Sequence, residues 1–176
     1  MELTGSRTLP APVKHVWRAL NDPATLQAAI PGCEVFEPEG EDAFRVTMLA
    51  KVGPVSARFA GRARLSDIEV PRAYSIRFEG AGGAAGFVNG DARITLTPVG
   101  ADESATRLEY HATAQVGGKL AQIGSRLIDA AANKVVEDFF SRFVAAATPG
   151  APAERDADPP RSRCRRWWVA ITSWLR

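Results

Sequence analysis

AFRVTMLAKVGPVSARFAGRARL, residues 43–65, decides the architecture. Phe44, Val46, Met48, Ala50 and Val52 alternate with Arg45, Thr47 and Lys51. After Gly53-Pro54, Val55, Ala57, Phe59, Gly61, Ala63 and Leu65 alternate with Ser56, Arg58, Arg62 and Arg64. Successive side chains of a strand leave on opposite faces, so this period of two, broken by one turn signal, predicts a hairpin with a dry face and a wet one. The same parity runs on through Tyr74, Ile76 and Phe78, then Val88, Ala92, Ile94 and Leu96, then Leu108, Tyr110, Ala112, Ala114 and Val116. Turn signals at Glu39-Gly40, Val70-Pro71, Gly82-Gly83 and Gly100 divide residues 33–116 into six consecutive antiparallel strands. A dry face of that extent must be covered.

The cover lies downstream. Leu120, Ile123, Leu127, Ile128, Ala131, Val135, Phe139 and Phe143 recur at helical spacing, which predicts one long amphipathic helix over 118–146, set off from the last strand by Gly117-Gly118. Upstream, residues 2–9 read as a strand. Pro10 and Pro12 then lead into a helix carrying Val13, Val16, Trp17 and Leu20 on one stripe. A second short helix follows, with Asp22 as N-cap and Pro23 at its first position, and stops at Pro31-Gly32. Strand, two short helices, six strands, long helix is the order of an α+β helix-grip fold, in which a curved antiparallel seven-stranded sheet wraps around a C-terminal helix.

Of the 176 residues, 45% are hydrophobic and 24% charged, within the globular range. The net charge of +2 hides an asymmetry. From residue 151 onward six arginines face three acids, a local +3, so the first 150 residues carry −1. Residues 1–146 are expected to form the domain and 147–163, rich in Ala, Pro and charge, a solvated linker. Residues 164–176 form a basic tail. Three of the four tryptophans stand there, Trp167, Trp168 and Trp174, with Ile171 and Leu175, beside Arg163, Arg165 and Arg166. Indole rings at headgroup depth with cations toward anionic lipid make an interfacial segment; the alternative is an amphipathic helix docked in a protein groove. Such a helix would reach only roughly 18 Å, too short to span a bilayer. With no apolar run of signal-peptide length, the expected location is the cytoplasm, peripheral on the inner face of the cell membrane. Cys33 and Cys164 are too far apart in the chain to suggest a disulfide.

The inner face is rich in small residues: Ala57, Gly61, Ala63, Gly90, Ala92, Ala112 and Ala114. They imply either close approach of the helix or a cavity for an apolar ligand. For a cavity, the candidate lining is Phe44, Met48, Phe59, Phe78, Val88 and Tyr110 from the sheet, with Leu127, Ile128, Ala131 and Val135 from the helix. GAGGAAG, residues 80–86, lies between strands and lacks a lysine, so a phosphate loop is disfavoured against a mobile hairpin at a cavity mouth or a plain turn. No catalytic or metal-ligand constellation stands out. His111 has outward parity and Cys33 no partner base. Arg45, Lys51, Arg58, Arg62, Arg64, Arg77, Arg93 and Arg107 have outward parity against Glu79, Asp91 and Glu109, which predicts a basic outer face, without the interleaved aromatics that nucleic-acid stacking needs.

PAPVKHVWRALNDPATLQAAIPGCE (10–34), GFVNGDARITLTP (86–98) and VGGKLAQIGSRLIDAAANKVVEDFF (116–140) resemble the carbon monoxide dehydrogenase G-subunit family, part of the START-like superfamily. The resemblance covers residues 1–146. It implies a non-catalytic helix-grip domain with an apolar cavity that brings a molybdenum-containing CO dehydrogenase, or a related hydroxylase, to the cytoplasmic membrane. It also implies delivery of a quinone, menaquinone or ubiquinone, with no covalent cofactor. An assembly or docking subunit without ligand carriage is the alternative, and a polyketide-type cyclase on the same scaffold a third, disfavoured for want of polar groups in the cavity.

Overall fold

A computed structural model describes residues 1–147. Most of the linker, and the whole tail with Arg163, Arg165, Arg166, Trp167, Trp168, Ile171, Trp174 and Leu175, lie outside the described residues. The elements are β1 (Glu2–Leu9), α1 (Val13–Leu20), α2 (Pro23–Ala29), β2 (Cys33–Pro38), β3 (Ala43–Val52), β4 (Val55–Glu69), β5 (Ala73–Ala81), β6 (Phe87–Val99), β7 (Ala105–Gly117), α3 (Lys119–Gln122) and α4 (Ser125–Ala147). The strands form one antiparallel sheet in the order β1-β7-β6-β5-β4-β3-β2. This is the helix-grip order expected from the sequence.

Local chemistry sets the helix limits. Asp22 caps α2 by accepting from the Thr25 amide at 2.9 Å, with Pro23 in the first turn, where a missing N–H does no harm. Asn21 closes α1 by donating its side-chain amide to Trp17 O at 2.8 Å. The alternation in 43–65 sets the register: Phe44 opposite Ala63, Val46 opposite Gly61, Met48 opposite Phe59. Directly opposed residues share a face, so one register fixes a continuous dry surface.

One expectation fails in detail. The helix of 118–146 is two, broken at Gly124, whose φ of +92° is open to glycine and strained for other residues. The break has a packing reason. Leu120 on α3 is buried against Phe59 and Ala85, closing the end of the sheet, and the chain must then turn to send α4 back across the dry face.

The interior is divided. The larger core gathers Val16, Trp17 and Leu20 of α1, Tyr74, Leu96 and Leu108 of the sheet, and Phe140 and Phe143 of α4. Trp17 meets Tyr74 edge-on at 5.5 Å. Thr106, the one buried polar residue among those described, donates its hydroxyl to Ala11 O at 2.6 Å. Each large apolar side chain withdrawn from water here contributes about 1.5–3 kcal/mol. The smaller core is Phe59, Ala85 and Leu120, with Met48, Val88, Val116 and Ile123 packed on it. The N-terminal half of α4 passes between the two, and on it Leu127 is 48% and Val135 39% exposed.

Candidate functional site

The stretch between the two cores is the candidate site. Its floor is the inner face of β5, β6 and β7, where Gly90, Ala92, Ala112 and Ala114 carry little volume. Part of that stripe is filled by neighbours. A Cβ on Gly90 would fall 2.7 Å from Phe78 Cζ and 2.1 Å from Thr113 O, so the glycine is there to let a ring and a strand come close. The alanines have no such explanation. Of them Ala114 lines a groove of about 620 Å³, together with Met1, Phe87, Val116, Ala121 and Ile128, with Gln115, Ser125 and Asp129 at its polar edge.

The ten candidate lining residues divide accordingly. Phe44 and Phe59 are buried, Phe44 against the Phe36 ring at 5.0 Å and Phe59 in the smaller core with its ring over Gly82. Met48 and Val88 pack on that same core. Phe78 lies across Gly90, and Tyr110 is half-buried beside Phe140 at 5.6 Å. Ile128 lines the groove and Ala131 is half-buried on α4. Leu127 stands over the β3–β4 turn at Gly53, and it and Val135 are exposed; neither lines the groove. Parity alone pointed to Ala114 and Val116. Nothing in the sequence singles out Met1 and Phe87, since their place depends on where strand ends meet α3 and α4.

The GAGGAAG segment is a packed turn. Gly83–Ala85 form one 3-10 turn, and Ala85 is buried under Leu120.

The outer face corrects a second expectation. Six of its arginines meet acids: Arg45 pairs with Glu37, and Arg58 with Glu34 and Arg62 with Glu39, both at 2.6 Å. Arg77 pairs with Asp91 at 2.9 Å and Arg93 with Glu69 at 2.6 Å, while Arg107 lies 3.7 Å from Glu109. Asp91 and Glu109 have outward parity within their own strands, whereas Glu34, Glu37, Glu39 and Glu69 come from β2, its end and the end of β4, places that parity within single strands did not bring to this face. The Arg58 hydrogen bond, with its charge, holds the Glu34 carboxyl below its ordinary value. A depression of about 500 Å³ on this face is walled by Arg64, Arg77, Asp91, Arg93 and His111, too polar for an apolar ligand. His111 points outward as expected, its Nδ1 2.9 Å from Thr4 Oγ1.

Chemically the inner face is quiet. Burial pushes the Cys33 thiol up, away from the reactive thiolate. Burial likewise pushes the Tyr74 hydroxyl above its usual range. Among the described residues no three His, Cys, Asp or Glu side chains gather to hold a metal, and no helix is long and apolar enough to cross a membrane.

A seven-stranded antiparallel sheet with two short helices after its first strand and a long C-terminal helix is a START-like domain. The fold is similar to a START superfamily protein from Mycobacterium smegmatis, with TM-score 0.63, 11% identity, and 83% of this chain and 96% of that one covered. It is also similar to the Zhui aromatase/cyclase from Streptomyces sp. R1128, with TM-score 0.61, 18% identity, and 89% and 99% covered. A conserved protein from Geobacillus kaustophilus is nearer in sequence, 33% identical over 84% of this chain and 95% of that one, with TM-score 0.78. No curated protein matches. Residues 5–148 match the carbon monoxide dehydrogenase G subunit (CoxG), and the chain belongs to that family, an accessory subunit of CO dehydrogenase.

Proposed function

We propose that this chain is a non-catalytic accessory subunit that recruits a molybdenum-containing CO dehydrogenase, or a related hydroxylase, to the inner face of the cell membrane and carries a quinone-like apolar lipid. The observation that supports it most is the divided interior. A helix that shares a core with the sheet at one end runs at the other beside a groove lined by Ala114, Val116 and Ile128, with its own Leu127 and Val135 partly exposed. Apolar surface left uncovered in this way is characteristic of a binding site. The arginine- and tryptophan-rich residues 163–176 have the composition of an interfacial anchor. A linker of some seventeen residues, 147–163, lets the domain move while the anchor stays on the bilayer. The inner face has too few polar groups for cyclase chemistry, which needs several to converge on one substrate.

The test is mass spectrometry of an organic extract of the protein purified from native membranes under mild conditions. Stoichiometric menaquinone or ubiquinone is the expected result. Gly90, filled by its neighbours, favours a second reading, a docking subunit without cargo. A lipid-free protein in stable complex with the dehydrogenase would establish that reading and end the first.

A further inference from the structure

Among the described residues, Arg7 is the one charged side chain on the inner face of the seven strands. Its register partner is Leu108, and Gly5 beside it pairs with Tyr110, so β1 shares its dry face with that of β7. The guanidinium carbon stands 5.7 Å from the centroid of Phe140, and the Tyr110 ring lies 5.6 Å from the same ring. Tyr110 is laid flat across β1: a Cβ on Gly5 would be 2.4 Å from its hydroxyl oxygen, which therefore reaches the free edge of the sheet. Arg7 spends one N–H on Ser6 O at 3.0 Å and has no carboxylate partner among the described residues. The Tyr110 hydroxyl makes no hydrogen bond within the described residues. A guanidinium has five donor hydrogens in a fixed fork, so most of its capacity is unspent.

These donors stand at one end of a track. Ile128, Ala132, Val136 and Phe140 repeat every four residues along one ridge of α4, roughly 18 Å from first to last. Opposite them on β7 run Val116, Ala114, Ala112 and Tyr110. The middle of the track is alanine on both sides. Its far end is the groove at Ile128 and Val116, and its near end is the pair of donors.

We infer that Arg7 and Tyr110 form the polar head subsite of the lipid site, donating to an acceptor oxygen at the end of an apolar chain that lies along α4 toward the groove. This rests on the lipid-carrier reading and adds a direction to it: head at the Phe140 end, chain toward Ile128. The acceptor belongs to a ring carbonyl or to a carboxylate, and both fit a guanidinium beside a phenol.

Three probes sharing a long chain separate the possibilities: phylloquinone, which ends in a naphthoquinone; phytane, the bare hydrocarbon; and palmitate. Binding to the full chain is read by displacement of N-phenyl-1-naphthylamine. R7A and Y110F are expected to weaken phylloquinone about tenfold each, the scale of one lost hydrogen bond, and to leave phytane unchanged. R7K is expected to recover part of the loss. A loss for palmitate with none for phylloquinone keeps the subsite and assigns it to fatty acids. Unchanged binding of all three probes to R7A and Y110F overturns the inference and leaves the carrier reading standing. A wild-type chain that binds none of them overturns both. Arg7 is exposed and Y110F removes a single atom, so neither variant is expected to disturb folding, which circular dichroism checks.

Discussion

The two halves of α4 face the same sheet and do different work. Toward its C-terminus, Phe140 and Phe143 are buried under α1, α2 and the ends of β6 and β7, and the helix holds the domain together. Toward its N-terminus, Leu127 and Val135 belong to the same apolar helical pattern, yet they are partly exposed, and their neighbour Ile128 lines a groove. An amphipathic stripe states which face of a helix turns inward. It does not state how far away the opposing surface lies. Here the opposing residues differ: Trp17, Tyr74 and Leu108 share a core with Phe140 and Phe143 at one end, while Ala114 and Val116 line a groove with Ile128 at the other.

The contrast is testable by breaking each half. Phe143→Ala deletes a side chain with no exposed surface and is expected to cost about 3–5 kcal/mol, lowering Tm by about 10 °C in thermal unfolding. Next in size is the joint that aims α4. Gly124→Ala places a Cβ at φ +92° with no atom near enough to clash, so the expected loss of about 1 kcal/mol is backbone strain alone. L127S with V135S is expected to cost far less stability than Phe143→Ala, because both residues are partly exposed, while lipid recovered with the purified protein falls. A Tm loss as large as that of Phe143→Ala would show that the two halves of the helix are packed alike.

The smallest effect is expected on the outer face, which belongs to neither half. Because Arg58 lowers the folded-state pKa of Glu34, the pair stabilises the fold above the ordinary carboxylate value of 4.5, and that contribution is lost as pH falls through the lowered value. Arg58→Ala should therefore flatten the acid limb of the stability profile slightly, since both side chains are solvated. An unchanged acid limb in denaturant titrations would remove the pair from the account.

Much of the fold was legible in residues 43–65 and in the helical spacing after Gly118. The six strands, both short helices and the Asp22 cap follow from period, punctuation and capping chemistry, all carried by residues near in sequence. The break at Gly124 was not legible, because a lone glycine in a helical pattern reads the same whether it is tolerated or turned to use. The ion pairing across the outer face was missed for a related reason. Glu34 and Arg58 are 24 residues apart, and only the register of β2 on β3 on β4 brings them together.

The site divides the same way. Tyr110 and Ile128 were readable from parity and helical phase, whereas Arg7 was passed over inside a strand too short to display its alternation. By itself the sequence determined which residues face inward, since side-chain direction follows from the local backbone period. Only the tertiary structure decided which of those inward residues touch, because distance across a curved sheet depends on the volume of side chains far apart in the chain. That difference separates a packed core at Phe143 from an open groove at Ile128.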